Sequence, residues 1–199
     1  VERLRARRCK HVEVTTPNVL WSMDTAHLDP CVDEPRPEAQ VVRDRASRSF
    51  VATALGPPVQ GCDVVAFLER ARVARGVLPL VLATDNGAPF ICEEVRSYLQ
   101  RHKVVHLRSL PRTPQHNGAV ERGIRELKEQ LTLGVGPRPP NISMLENQLT
   151  QAADLLNKNR RRQSLAFLTA AEFDEKNEAR YNKVRENFYR DCSMRIEHA

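Results

Sequence analysis

The sequence predicts an α/β fold: a mixed sheet of three antiparallel and then parallel strands, with flanking helices and a helical C-terminal tail. Three observations carry this. Residues 19–55 hold three short strand-like runs joined by turn-like links, the pattern of an antiparallel meander. Residues 64–133 alternate helix and strand, which implies parallel pairing through right-handed crossovers. Beyond residue 134 the apolar side chains recur at helical spacing. The chain divides accordingly into a basic linker over 1–16, a core over 17–133 and a helical extension over 134–199.

At 199 residues the chain is long enough for one domain with a real core and a small appendage. No apolar run approaches the ~20 residues of a membrane span. It begins with Val1 rather than Met, so it is expected to be a piece of a longer protein. The formal charge is +6, the isoelectric point is near 9.3, and arginine far outnumbers lysine. This balance favours a polyanionic partner, nucleic acid first, against the plainer reading of a basic surface with no special partner. The five cysteines (Cys9, Cys31, Cys62, Cys92, Cys192) are widely spaced without a C-x-x-C pair. That pattern predicts free thiols in a reducing compartment and no structural zinc.

The elements follow in order. Residues 1–12 carry Arg3, Arg5, Arg7, Arg8 and Lys10, and read equally as a phosphate-contacting linker or a solvated terminus. Residues 19–28 form a strand. Period 2 puts Leu20, Ser22, Asp24, Ala26 and Leu28 on one face, and Trp21, Met23, Thr25 and His27 on the other. An aspartate amid apolar neighbours is expected to have a cation beside it, since burying it without a partner costs several kcal/mol, roughly. His27 points away from Asp24 and reads as a packed or rim histidine. Residues 29–38 are a polar, Pro-rich loop; 40–43 and 48–55 are strands around a turn at 44–47. Asp63 is positioned to cap a helix over 64–75 that buries Val64, Val65, Phe67, Leu68 and Ala71 and stops at Gly76. A strand over 78–83 ends at Asp85. A helix over 91–102 buries Val95, Tyr98 and Leu99, and a strand spans 104–107. A loop over 108–118 leads to a helix over 119–133. Another helix spans 141–160. Thr169 and Glu172 form a capping box for the last helix, which carries Phe173, Tyr181, Val184 and Phe188.

Three acids stand out by position. Asp24 sits in mid-strand and Asp85 at a strand's carboxyl end, where open sheets place ligands. Glu121 sits in the first turn of its helix, with thirty-five residues between it and Asp85. Phosphodiester chemistry needs two hard cations, and carboxylates are the side chains that hold Mg²⁺. Crowded carboxylates repel one another, so such a trio has little structural use.

The words that contain these acids resemble the integrase catalytic core of bacterial insertion-sequence transposases and retroviral integrases, the DDE group with the D,D-35-E signature. The matching words are Trp21-x-x-Asp24-Thr25, Val42-Arg43-Asp44-Arg45-Ala46-Ser47-Arg48, Thr84-Asp85-Asn86-Gly87-x-x-Phe90 and Pro114-x-x-Asn117-Gly118-x-x-Glu121-Arg122. The tail from Asn157 to Phe173 is similar as well, although Arg160-Arg161-Arg162 stands where the family has Arg-Pro-His. The resemblance implies a ribonuclease-H-like fold, with Asp24, Asp85 and Glu121 as catalytic, metal-binding residues for Mg²⁺ or Mn²⁺. It also implies DNA as substrate, a homo-oligomer on DNA, and action in a bacterial cytoplasm on the nucleoid. The implied reaction is attack of water on an element end, then attack of the freed 3′-hydroxyl on target DNA. A catalytically idle DNA-binding remnant and a ribonuclease-H-like nuclease are the alternatives.

Further residues point to DNA. Arg125 and Lys128 lie four and seven positions after Glu121 on the same helix face. Arg112, His116 and Asn117 lie in a loop that either closes on DNA or is plain surface. Arg160, Arg161 and Arg162 either hold target or flanking DNA or form a solvated run.

Overall fold

The computed structural model describes residues 13–28, 37–109, 118–134 and 141–197. Arg112, His116 and Asn117, expected to contact DNA, lie outside these residues, as do the basic stretch 1–12 and most of the Pro-rich loop. The sheet has five strands: β1 (Leu20–His27), β2 (Glu38–Asp44), β3 (Phe50–Leu55), β4 (Val81–Thr84) and β5 (Val105–Arg108). Their spatial order is β3-β2-β1-β4-β5. β1–β2 and β2–β3 pair antiparallel, and β1–β4 and β4–β5 pair parallel. The mixed sheet expected from the sequence is therefore present.

Among the described residues six α-helices join and cover the strands: α1 (Gly61–Arg75), α2 (Ala88–Ile91), α3 (Glu93–Arg101), α4 (Gly118–Gly134), α5 (Ile142–Asn159) and α6 (Ala170–Glu197). Trp21, Met23, Val42 and Leu82 pack on one sheet face against Val64, Phe67 and Leu68 of α1 and Val95 and Leu99 of α3. Ala39, Val41 and Phe50 pack on the other face against Leu127 of α4 and Leu145, Leu149 and Leu156 of α5. Two cores flank one sheet because each strand alternates its side chains across it.

Several boundaries differ from the sequence reading. Asp63 is not the N-cap of α1 but its third residue; Gln60 is the cap, and the two exchange capping bonds. Val65 is only half-buried. Gly76 does end α1, at φ 76 in the left-handed region that glycine tolerates. The helix expected over 91–102 spans Glu93–Arg101, and a separate four-residue helix, Ala88–Ile91, precedes it across extended backbone at Cys92. β3 begins at Phe50 rather than 48, because Arg48 sits at φ 64, outside strand geometry. The Thr169–Glu172 capping box is present, with both reciprocal bonds made. Tyr181 is buried and its hydroxyl donates to the Leu78 carbonyl at 2.7 Å, fixing α6 to the body. Among the described residues no helix is long and apolar enough to cross a membrane.

Candidate active site

β1 is the central strand, so its side chains have neighbours on both sides. Asp24 pairs in register with Val41 of β2, whose side chain belongs to the core under α4 and α5. Asp24 therefore faces the α4 side of the sheet. It is half-buried and accepts one backbone hydrogen bond, from Thr25 N at 2.8 Å. Its carboxyl is raised above the ordinary value of 3.8, first by burial and then by the charges of Asp85 and Glu121; the Thr25 bond opposes this. His27 lies on the other face, exposed, with Nδ1 3.1 Å from Glu38 Oε1: a rim histidine.

β4 runs parallel to β1, with Leu20 opposite Val81, Trp21 opposite Leu82 and Ser22 opposite Ala83. Continuing that register sets Asp85 level with Asp24, one strand spacing of roughly 4.8 Å away. The turn after β4 is fastened on three sides. Asp85 Oδ1 accepts from Gly87 N at 2.9 Å. The Thr84 hydroxyl donates to the Asp85 carbonyl at 2.8 Å and meets His106 Nε2 at 2.8 Å. Asn86 Nδ2 donates to the Ser109 carbonyl at 2.7 Å. Burial and nearby Arg108 hold His106 below the usual imidazole range, so it stands neutral beside Thr84. The space at Gly87 is tight: a Cβ there would lie 3.1 Å from Asp85 Oδ1 and 3.2 Å from the Phe90 ring, so those side chains would have to give by a few tenths of an ångström.

α4 begins at Gly118 and carries Glu121 in its first turn. Glu121 is exposed, and its charge is felt at Asp24. Asp85 and Glu121 are thus near enough to Asp24 for their charges to act on it. Among the described residues, though, no three Asp, Glu, His or Cys side chains stand where they could hold a metal ion. The donor set nonetheless suits a hard divalent cation. All three donors are carboxylate oxygens, and a cation among them reverses the repulsion that raises Asp24.

Arg125 is exposed and Lys128 half-buried, and both share the α4 face of Glu121. Arg160 is exposed. Arg161 is tied within the tail: its guanidinium reaches both Glu172 oxygens, at 3.2 and 3.3 Å, and the Phe167 carbonyl at 3.0 Å. The sequence reading missed the anchor beneath α4. Glu126 Oε1 and Oε2 accept from Arg162 at 2.8 Å each, and Oε2 also accepts from Arg43 at 3.1 Å. Gly123 makes room for this, since a Cβ there would meet Arg43 Nη1 at 2.2 Å. The available signal was a glycine two residues after Glu121, in a helix otherwise without one between its terminal Gly118 and Gly134.

Comparison with known proteins identifies the family and the fold. The family profile described as Integrase core domain matches residues 14–114. The Pol polyprotein of equine infectious anemia virus (isolate 1369) is 33% identical over 140 residues, which are 70% of this chain and 11% of that protein. The Gag-Pro-Pol polyprotein of mouse mammary tumor virus (strain BR6) is 30% identical over 116 residues, 58% of this chain and 6% of that protein. This chain spans only a small part of such relatives. Among solved structures, the HTLV-2 integrase catalytic core domain in complex with magnesium (dimeric form) superposes with a TM-score of 0.63 at 21% identity. It covers 79% of this chain and 97% of its own. The catalytic core domain of BIV integrase gives 0.63 at 22% identity, over 82% and 99%. Both likenesses concern the fold, which is ribonuclease-H-like.

Proposed function

This chain belongs to the integrase core domain family, and from that premise we propose that it cuts DNA strands and joins them to other DNA. The observation that supports the proposal is that the charges of Asp85 and Glu121 both bear on Asp24, with Asp85 in the turn directly after the strand that runs parallel beside β1. These are the proposed catalytic residues. They would hold Mg²⁺ or Mn²⁺, which when bound supplies charge neutralisation at phosphate and a more acidic water or hydroxyl.

The rest of the account concerns what the chain itself does. Asp24 is held on β1, which is paired on both sides, and Asp85 in the fastened turn directly after β4, so both positions are set before DNA arrives. The Thr84–His106 contact fixes the peptide on which Asp85 turns. Glu121 stands exposed at the start of α4 and closes the site from the helix side. Arg125 and Lys128 continue its face and grip phosphates of the bound end. Arg160 and the loop residues Arg112, His116 and Asn117 extend that grip. Two DNA ends handled together require a second copy, so the working form is an oligomer on DNA. A bacterial element's enzyme of this kind acts on the nucleoid.

The test is a joining assay with a labelled DNA end and a target duplex in Mg²⁺ or Mn²⁺. Wild type should give joined products. Asp85→Asn should keep its circular dichroism spectrum and DNA affinity while joining falls by at least about 10³-fold, roughly 4 kcal/mol of barrier. Undiminished joining in that variant overturns the proposal. Cleaved but never joined products favour a nuclease, and binding without cleavage under any metal favours an idle remnant.

A further inference from the structure

α4 has two working flanks. Glu121, Arg125 and Lys128 follow one another at positions i, i+4 and i+7. Arg122 and Glu126 lie about 100–140° further round the helix. This second flank closes a cavity of about 380 Å³ against the turn before β3 and the segment after α5. Its walls hold six arginines (Arg43, Arg48, Arg122, Arg160, Arg161, Arg162) and a single acid, Glu126.

The charges in this cavity do not balance from within. Both Glu126 oxygens are already engaged by Arg162 and Arg43. Arg161 is held by Glu172. Among the described residues, no carboxylate forms an ion pair with the guanidinium of Arg48 or Arg160. Arg162 keeps a side-chain exposure of only 10%, and its Nε is buried without a hydrogen-bond partner. Arg43 is 4% exposed. Burial, with the neighbouring cations Arg162, Arg48 and Arg122, pushes Arg43 down to about 10 against the pull of Glu126. Burial and the charges of Arg122 and Arg162 push Arg48 down too. Like charges gathered in a partly desolvated cavity cost energy unless an anion joins them.

The anion that fits is a phosphodiester. Guanidinium forks match its oxygens two at a time, and the space takes a phosphate with its flanking sugar. Glu126 lies five residues along α4 from Glu121, roughly 7.5 Å of helix axis, while a DNA strand advances roughly 3.4 Å per nucleotide. We infer that this pocket is a second seat for DNA, taking a backbone phosphate a few nucleotides from the bond attacked at the acidic site. The inference rests on the function proposed above and adds a fixed point of contact to it. Arg43, Glu126 and Arg162 build the floor of the seat. Arg48 and Arg160 are its contact residues, and Arg122 links it to the catalytic helix.

The test uses the whole chain and a fluorescein-labelled duplex, with affinity read by anisotropy between about 50 and 200 mM salt. Arg48→Gln/Arg160→Gln removes contact charge and leaves the Glu126 anchor intact. It should melt no lower than wild type, since repulsion is relieved. The slope of log affinity against log salt should become shallower by about 1, and low-salt affinity should fall by about 10-fold. A neutral methylphosphonate placed at one backbone position should weaken wild type by a similar factor and leave the double variant unchanged. Wild-type affinity and slope in the double variant overturn the inference and remove Arg160 from the proposed grip, while leaving the proposed cutting and joining at the acidic site standing. Failure of wild type to bind DNA overturns both. If inorganic phosphate raises the melting temperature of wild type but the double variant keeps its DNA affinity, the pocket is a small-anion site and the inference falls. Loss of self-association in place of DNA affinity makes it a contact between copies, with the same consequence.

Discussion

Asp24 and Asp44 sit on adjacent strands and share one physical problem, a carboxylate taken out of water. They meet it in opposite ways. Asp44 is fully buried at the end of β2 and accepts from Asn18 N at 2.6 Å, Ala46 N at 2.9 Å, Ser47 N at 2.8 Å and the Ser47 hydroxyl at 3.1 Å. Asp24 has the single bond from Thr25. Burial raises both carboxyls, but at Asp44 donor bonds come next and oppose it. At Asp24 only one bond opposes it, and two further acids add to the rise. An acid that serves the fold is ringed by donors. On the proposed function Asp24 is an acid kept for a cation: two further acids bear on it, and the fold carries the repulsion until the cation arrives.

Exchanging the roles breaks this contrast most sharply. Asp24→Asn should abolish DNA joining, by at least about 10³-fold, with melting temperature equal to or above wild type. Asp44→Ala should lower unfolding stability by about 3 kcal/mol, because it leaves four donors around an emptied position. Urea titration of the two variants side by side checks this. If Asp24→Asn proves the less stable of the pair, the contrast is wrong.

A smaller effect extends the donor-ringed pattern to the tail. The Asn157 amide donates to the Phe50 carbonyl at 2.9 Å and accepts from Phe50 N at 2.8 Å, so a side chain of α5 completes the edge of β3. Asn157→Ala should cost about 2 kcal/mol, since both backbone groups lose their partner. Hydrogen exchange should localise the loss to the β3 edge. A loss of joining activity without a loss of stability would instead give Asn157 a place in the chemistry.

The smallest expected effect concerns pH. The folded value of Asp24 is raised, so its charged form is disfavoured in the folded state. That penalty is fully present above the raised value and disappears as pH falls through it toward the unfolded value near 3.8. Without metal, Asp24→Asn should therefore exceed wild type in stability at neutral pH, and the gap should close in acid. Added Mg²⁺ should narrow it from the other side by stabilising wild type alone, by about 2.7 kcal/mol at a hundredfold excess over the dissociation constant. A gap that widens in acid contradicts the assignment of charge at Asp24.

Much of this was legible in the residues. Period 2 around Asp24 exposed an acid among apolar neighbours, and Asn86-Gly87 marked the strand end at Asp85. Glu121 was legible only through its spacing, because an acid in a first helical turn is ordinary. The Asp44 turn was seen as a turn, but not its ring of donors, since Asn18 lies 26 positions away. Glu126 was invisible for the same reason. Its partners Arg43 and Arg162 are 83 and 36 positions distant, and an acid on an amphipathic helix reads as solvated. The start of α1 was misplaced because Gln60 is not among the usual capping residues. Local pattern marks where a group sits along the chain; what it touches across the fold is set by packing that no short window contains.

The central claim is that Asp24, Asp85 and Glu121 serve one cation site. The most direct measurement is an anomalous difference map from a crystal of the chain soaked in Mn²⁺. The expected result is a peak with carboxylate oxygens of Asp24 and Asp85 at roughly 2.1 Å, with Glu121 turned toward it. Ordered carboxylates that point apart, with no peak between them, would contradict the claim.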